Sequence, residues 1–298
     1  MAAEESYTEL LFICIFWLLH AIFSLTEYLM AFCYLLSSRW RAVFSQEKCI
    51  DLELVKNISK LPKHVAFLVL ENDVVYDDVA KLVIWSLLVG INVISLYDVH
   101  GKLKKNQGKL LGAINKEYIK YIQTADPFKL IWQPHDDSEG ISDKNQTVIV
   151  NRNGVMYPDK NGNGGVSAIV NGSGRLGRKR NDCDEEYKTV TISLLSQTDG
   201  KGDIVNATKH MGKDIRENKL AQDDINVEMV GKYLTSNQGQ PDPCVLVRLG
   251  RLASNVDFLP WQLRLTEMFS IPSHRGVTPD KLVQVLRKYG KCEQRLGK

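Results

Sequence analysis

The chain has 298 residues, 44% hydrophobic and 24% charged, enough for one globular domain of ordinary size and an appendage. Lysines and arginines number 38 against 35 aspartates and glutamates, and a net charge of +3 gives no indication of a nucleic acid partner. The six cysteines, at 14, 33, 49, 183, 244 and 292, form no Cys-x-x-Cys pair, so neither a disulfide framework nor a zinc site is indicated and a reducing compartment is the simpler reading.

The first element is apolar. Leu10 to Leu25 is interrupted only by His20 and Ser24, and after Thr26-Glu27 the apolar character continues to Leu36. About 20 such residues cross a bilayer core as helix, so a transmembrane helix from Leu10 to about Met30 is expected, within an anchor over residues 1–36. A cleaved signal peptide needs a basic start and a small-residue cleavage site, whereas this start carries Glu4, Glu5 and Glu9. Arg39, Arg41 and Lys48 follow the span and no basic residue precedes it, which places the C-terminal part in the cytosol. The sequons at Asn57, Asn145, Asn171 and Asn206 then stay bare.

Residues 37–60 read as a juxtamembrane connector, and residues 61–298 as the folded domain. Val65 to Leu70 is an unbroken apolar run, the pattern of a strand buried on both faces. Asp77 to Gly90 has helical spacing and ends on a glycine stop. Asn92 to Tyr97 is a second buried strand, and Gly108 to Gln123 a second helix. The pattern resumes with a strand at Val190–Leu195, helices near Ile204–Lys219 and Ile225–Leu234, and a strand at Val245–Leu249. Thr278 and Pro279 open a last helix that runs to Tyr289. Such alternation predicts an α/β fold, a parallel sheet covered by helices. Residues 135–186 break the pattern. Their wealth of Asn, Gly and Asp predicts a disordered insertion. Within it, Gly172 to Gly177 matches Gly-x-Gly-x-x-Gly but lacks the flanking strand and helix that would bring amides to a phosphate, so no nucleotide site is assigned.

Four segments carry a family resemblance: Pro62-Lys63-His64 with the strand leading to Leu70-Glu71-Asn72-Asp73, Pro241 to Gly250, Asp257 to Glu267, and the terminal Arg295-Leu296-Gly297-Lys298. Together they resemble the cis-prenyltransferases. In that family Pro-x-His and an apolar strand lead into Asp-Gly-Asn-Arg, where the aspartate holds magnesium and the allylic diphosphate. Diphosphates favour a hard cation, backbone amides and guanidinium groups. Here Leu70, Glu71 and Asp73 replace the aspartate, glycine and arginine, and only Asn72 matches. A leucine holds no magnesium and two carboxylates repel a diphosphate, so the resemblance implies a degenerate site. Arg248 matches the arginine of the family's Arg-Thr-Ser-Gly-Glu, whose threonine, serine and glutamate are absent. Glu267 aligns with a family glutamate that can bind magnesium and is a weak metal candidate, so no firm metal ligand is named. Asp98 and His100, at the end of the second strand, are read as hydrogen-bonded structure in preference to an acid/base pair. Phe258 and Trp261 are read as core and dimer interface.

In this family a terminal Arg-x-Gly reaches the partner's active site. The resemblance therefore implies that Arg295, with the amides of Leu296 and Gly297, binds isopentenyl diphosphate held by the partner. It also implies a membrane-anchored subunit, inactive alone, of a heterodimeric dehydrodolichyl diphosphate synthase at the cytosolic face of the endoplasmic reticulum. The catalytic cis-prenyltransferase subunit would supply most of the Mg2+ site. The complex would add isopentenyl diphosphate to farnesyl diphosphate in cis, making the precursor of dolichol for protein glycosylation. The alternative is a membrane receptor or scaffold that binds a protein ligand without catalysis.

Overall fold

The computed structural model describes residues 10, 12–26, 28–29, 32–33, 50–51, 53–121, 128–134, 146–151, 154–156, 188–234 and 240–293. The chain divides into two units, Met1–Lys48 and Cys49–Lys298. In the first, residues 12–26 are helical (α1) and expose Phe12, Phe16, Trp17, Leu18, Leu19 and Phe23. Among the described residues no helix is long and apolar enough to cross a membrane. The span expected from Leu10 to about Met30 includes residues outside the described set.

The second unit is built on one sheet. Its elements are α2 (Glu53–Lys56), β1 (His64–Val69), α3 (Tyr76–Val89), β2 (Val93–Asp98), α4 (Lys102–Lys105), α5 (Gln107–Ile119), β3 (Phe128–Pro134), β4 (Gln146–Asn151), β5 (Gly154–Met156), β6 (Lys188–Leu195), α6 (Lys201–Arg216), α7 (Val227–Tyr233), β7 (Val245–Leu249), β8 (Glu267–Ile271) and α8 (Pro279–Gly290). The strand order is β5-β4-β3-β6-β2-β1-β7-β8. The six strands from β3 to β8 in that order are parallel, and β4 and β5 add an antiparallel margin.

After His64, β1 is apolar because the sheet is covered on both faces. Val65, Phe67 and Val69 share a core with Val79 and Leu82 of α3, Leu110 and Ile114 of α5, and Leu282 and Leu286 of α8. The alternate residues Ala66 and Leu68 join Tyr97, Leu195 and Leu246 in a second, smaller core closed by Phe258 and Leu259. The period-2 alternation of a strand thus feeds two apolar layers. α3 ends as expected at Gly90, whose φ of 104° lets its N–H turn back to the carbonyls of Ser86 and Leu87.

Four strands, β3, β4, β5 and β8, lie beyond the sequence reading. β4 and β5 fall inside 135–186, so the expectation of a disordered insertion is corrected for 146–151 and 154–156. Thr147 to Val150 is β-branched throughout and the sequence Asn-Arg-Asn-Gly that follows is of a turn-favouring composition, which suits a hairpin laid on the existing edge of β3. The other residues of that span, the Gly-x-Gly-x-x-Gly match included, lie outside the described residues.

The segment closing the second core is strained. Val256, Asp257 and Leu259 hold left-handed φ values of 37°, 63° and 32°, a conformation that L-residues leave unless it is over-determined. Tyr97 OH donates to the Val256 carbonyl, Lys201 pairs with Asp257 at 2.7 Å, and Phe258 meets Tyr97 edge to face at 5.5 Å. A Cβ on Gly200 would stand 1.9 Å from the Asp257 carbonyl oxygen. Gly200→Ala is therefore expected to destabilise the chain by about 2 kcal/mol or more in urea unfolding.

His64 of the Pro-x-His motif is structural. Its Nδ1 lies 2.7 Å from the Pro241 carbonyl oxygen, to which it donates, so Nε2 accepts from Ser95 Oγ at 2.8 Å. Burial lowers its pKa from 6.5 to about 4. Between those values the unfolded chain binds more protons than the folded one, so stability should fall as pH is lowered through that window. The full loss amounts to roughly 3 kcal/mol. Denaturation curves at pH 7, 5.5 and 4 should show the fall, and His64→Gln should flatten it.

Candidate functional site

In a parallel sheet, ligands meet the carboxyl ends of the strands, and here the connections after β1, β7 and β8 converge at that edge. Leu70 N–H donates to the Leu249 carbonyl at 2.9 Å, and Gly250 N–H to the Ile271 carbonyl at 2.9 Å. Gly250 has φ 145°, and a Cβ on it would lie 3.0 Å from the Leu70 Cβ. Leu70 is half-buried beside the second core and offers no ligand atom.

Glu71 is held by the loop that follows β8. Its two carboxylate oxygens lie 2.8 and 2.9 Å from Ser273 Oγ, and Oε2 accepts the His274 backbone N–H at 3.1 Å. The same oxygen accepts His274 Nδ1–H. The imidazole is fully buried, and its Nε2 accepts the Val75 N–H at 2.9 Å. That bond leaves the ring proton on Nδ1, so a neutral histidine donates to a charged glutamate. Burial pushes the Glu71 carboxyl up, but the bonds from His274 and Ser273 outweigh it and hold its pKa below the usual glutamate value. Further along the loop, Arg275 reaches the exposed Asp73 at 3.3 Å and the Gly276 N–H donates to Asp78 at 2.9 Å. Residues 71–78 and 273–276 thus form a latch, in which donors of the kind that hold a phosphate are taken by the protein's own carboxylate.

The neighbouring polar residues are also engaged in structure. Both oxygens of Asp98 accept the N–H groups that open α4, from Lys102 at 2.7 Å and Leu103 at 2.9 Å, so no acid/base pair with His100 is assembled. Arg248 Nε donates to Ser270 Oγ at 3.2 Å across β7 and β8.

Residues 173–297 match the family model described as putative undecaprenyl diphosphate synthase. The mouse dehydrodolichyl diphosphate synthase complex subunit Nus1 is 30% identical over 248 residues, 82% of this chain and 68% of its own. The chain belongs to this NUS1 subunit family. The human NUS1 subunit is 29% identical over 247 residues, 82% of this chain and 69% of its own. Among solved structures, lavandulyl diphosphate synthase from Lavandula x intermedia superposes with a TM-score of 0.51 at 15% identity, over 80% of this chain and 99% of that one. At that identity the likeness concerns the fold alone, and it bears out the cis-prenyltransferase-like parallel sheet covered by helices.

Within this NUS1 family member, the weak metal candidate Glu267 lies far along the sheet from the Leu70 position. It opens β8 in register with Val245, itself in register with Val65, and so sits at the amino end of the strands. Leu70 lies some five residues further along, roughly 16 Å at strand rise. Glu267 instead adjoins Cys292, whose thiol pKa is raised by burial and by the carboxylate. On this chain Glu267 and the Leu70 position share no metal site. Among the described residues no group of three or more His, Cys, Asp or Glu is placed to hold a metal ion. Arg295, Leu296 and Gly297 lie outside the described residues. Ser273 and His274 were missed in the sequence, where their only signal is a polar Ser-His-Arg-Gly run between a strand and the last helix.

Glu71→Ala leaves the buried His274 Nδ1–H and the Ser273 hydroxyl without their acceptor, so a loss of about 2 kcal/mol is expected in chemical denaturation. Glu71→Gln keeps a carbonyl acceptor and should lose less. Equal, unchanged midpoints for both variants would show that the latch contributes nothing.

Proposed function

We propose that this chain is the non-catalytic, membrane-anchored subunit of a dehydrodolichyl diphosphate synthase on the cytosolic face of the endoplasmic reticulum. The observation that carries the reading is the latch, in a chain of the NUS1 family: Glu71 occupies the donors that would face a diphosphate, and Leu70 stands where a carboxylate would hold magnesium. The residues present do not fit a metal ion, so no step of the reaction runs through one held here. The partner, a catalytic cis-prenyltransferase subunit, would supply the aspartate that holds Mg2+, and that ion would offset charge on the departing diphosphate as isopentenyl diphosphate is added to farnesyl diphosphate.

This chain contributes at two places. β8 is an edge strand, and with its flanking segments it exposes Leu252, Leu265 and Met268, an apolar margin suited to a partner subunit. From the tail after α8, Arg295 and the amides of Leu296 and Gly297 reach the isopentenyl diphosphate in the partner's site, where a guanidinium grips phosphate bidentately. The exposed apolar residues of α1 support an N-terminal anchor. Anchoring suits a product too apolar to leave into water.

Radiolabelled isopentenyl diphosphate incorporation tests the reading, with farnesyl diphosphate and magnesium, for this chain, a catalytic subunit, and the co-expressed pair. Activity should arise in the pair and fall at least about a hundredfold with Arg295→Ala while the pair stays assembled. Leu70→Asp alone should leave the isolated chain inactive. Full turnover by an Arg295→Ala pair would refute the role of the tail, and no gain from pairing would refute the subunit reading.

A further inference from the structure

α6 has a face that nothing in the described chain covers. Its packed side carries Asp203, Ala207 and Met211, and α7 joins near that side through Tyr233 OH, which donates to Asp214 at 2.6 Å. At helical spacing Lys201, Val205, Lys209, Lys213 and Arg216 share an opposite sector of about 120°. All five are exposed, Val205 by 51%. The carboxylates of α6 itself lie outside that sector. Asp257 pairs with Lys201 at 2.7 Å and Glu217 stands 3.9 Å from Lys213, yet these lysine side chains remain 73% and 66% exposed.

Gly202 and Gly212 lie in the same sector, and a Cβ on either would have nothing within 4 Å. Glycine weakens a helix relative to alanine, and no packing inside the described chain asks for it here. The result is a low, flat surface with four cations around one valine. Such a face matches a planar layer of phosphates with shallow apolar contact beneath it. The exposed apolar residues of α1, read above as an anchor, favour a lipid surface over a protein as the occupant.

We infer that this face of α6 docks on the surface of a bilayer containing anionic lipid, laying the domain against the membrane to which α1 tethers it. The tether raises the local lipid concentration, so weak contacts suffice. The inference rests on the membrane-anchored reading above.

The test uses the full chain with Val205 replaced by the photo-crosslinking residue benzoylphenylalanine, reconstituted in phosphatidylcholine vesicles with or without phosphatidylserine. A lipid adduct should form in the phosphatidylserine vesicles and weaken at high salt. Lys209→Glu with Lys213→Glu should reduce it roughly fivefold or more. The milder pair Lys209→Gln and Lys213→Gln should act in the same direction, with the circular dichroism of each variant confirming the fold. An adduct to protein, an equal adduct in neutral vesicles, or indifference to the charge changes would overturn the proposal. Vesicles that float with the chain but give no adduct refute the docking face alone. A chain that floats with neither vesicle refutes the anchor, and the docking face with it.

Discussion

The ion-dipole cluster on Glu71 is the constraint around which the carboxyl edge of the sheet is arranged. A half-buried carboxylate stays charged only if donors converge on it, and here the Ser273 hydroxyl, the His274 amide and the His274 ring do so. The ring donates on one side because it accepts the Val75 amide on the other, so the start of α3 sets the protonation of a histidine that in turn holds the loop before α8. Connections far apart in sequence are fixed to one another by charge and hydrogen bonding at a place where apolar packing alone would leave them free.

The latch gives a physical account of how the carboxyl edge of a cis-prenyltransferase-like sheet is held by the chain's own side chains. Without an acceptor at this edge, the Ser273 and His274 donors would face nothing. Buried donors without acceptors are costly, and the glutamate answers that need from within the chain. The same carboxylate repels any incoming diphosphate. One carboxylate thus both fastens the loop before α8 and disfavours an anion at this edge.

Much of the fold was legible because it follows from period and punctuation. β1, β2 and β7 appeared as apolar runs, and α3 and α8 carried their stop and start signals in Gly90 and Thr278-Pro279. β3, β4, β5 and β8 escaped because each is a short run with loop-like sequence beside it, and their pairing depends on neighbours present only once the sheet is assembled. The departure of Leu70, Glu71 and Asp73 from the motif of the resembled family was legible in the sequence. The latch was not, since Ser273 lies 202 residues from Glu71 and no local pattern links them.

The sequence by itself determined the layering of the domain and the absence of a carboxylate at Leu70, since side-chain identity and spacing suffice for both. It left Glu267 as a metal candidate, because alignment records the residue and not the end of the strand on which it falls. Tertiary structure alone decided that Glu267 and Leu70 lie at opposite ends of the sheet, and that Glu71 is a partner to Ser273 and His274 as well as a lost glycine. Hydrogen bonds and metal coordination act over about three ångströms, and only the folded chain brings residues so distant in sequence within that reach.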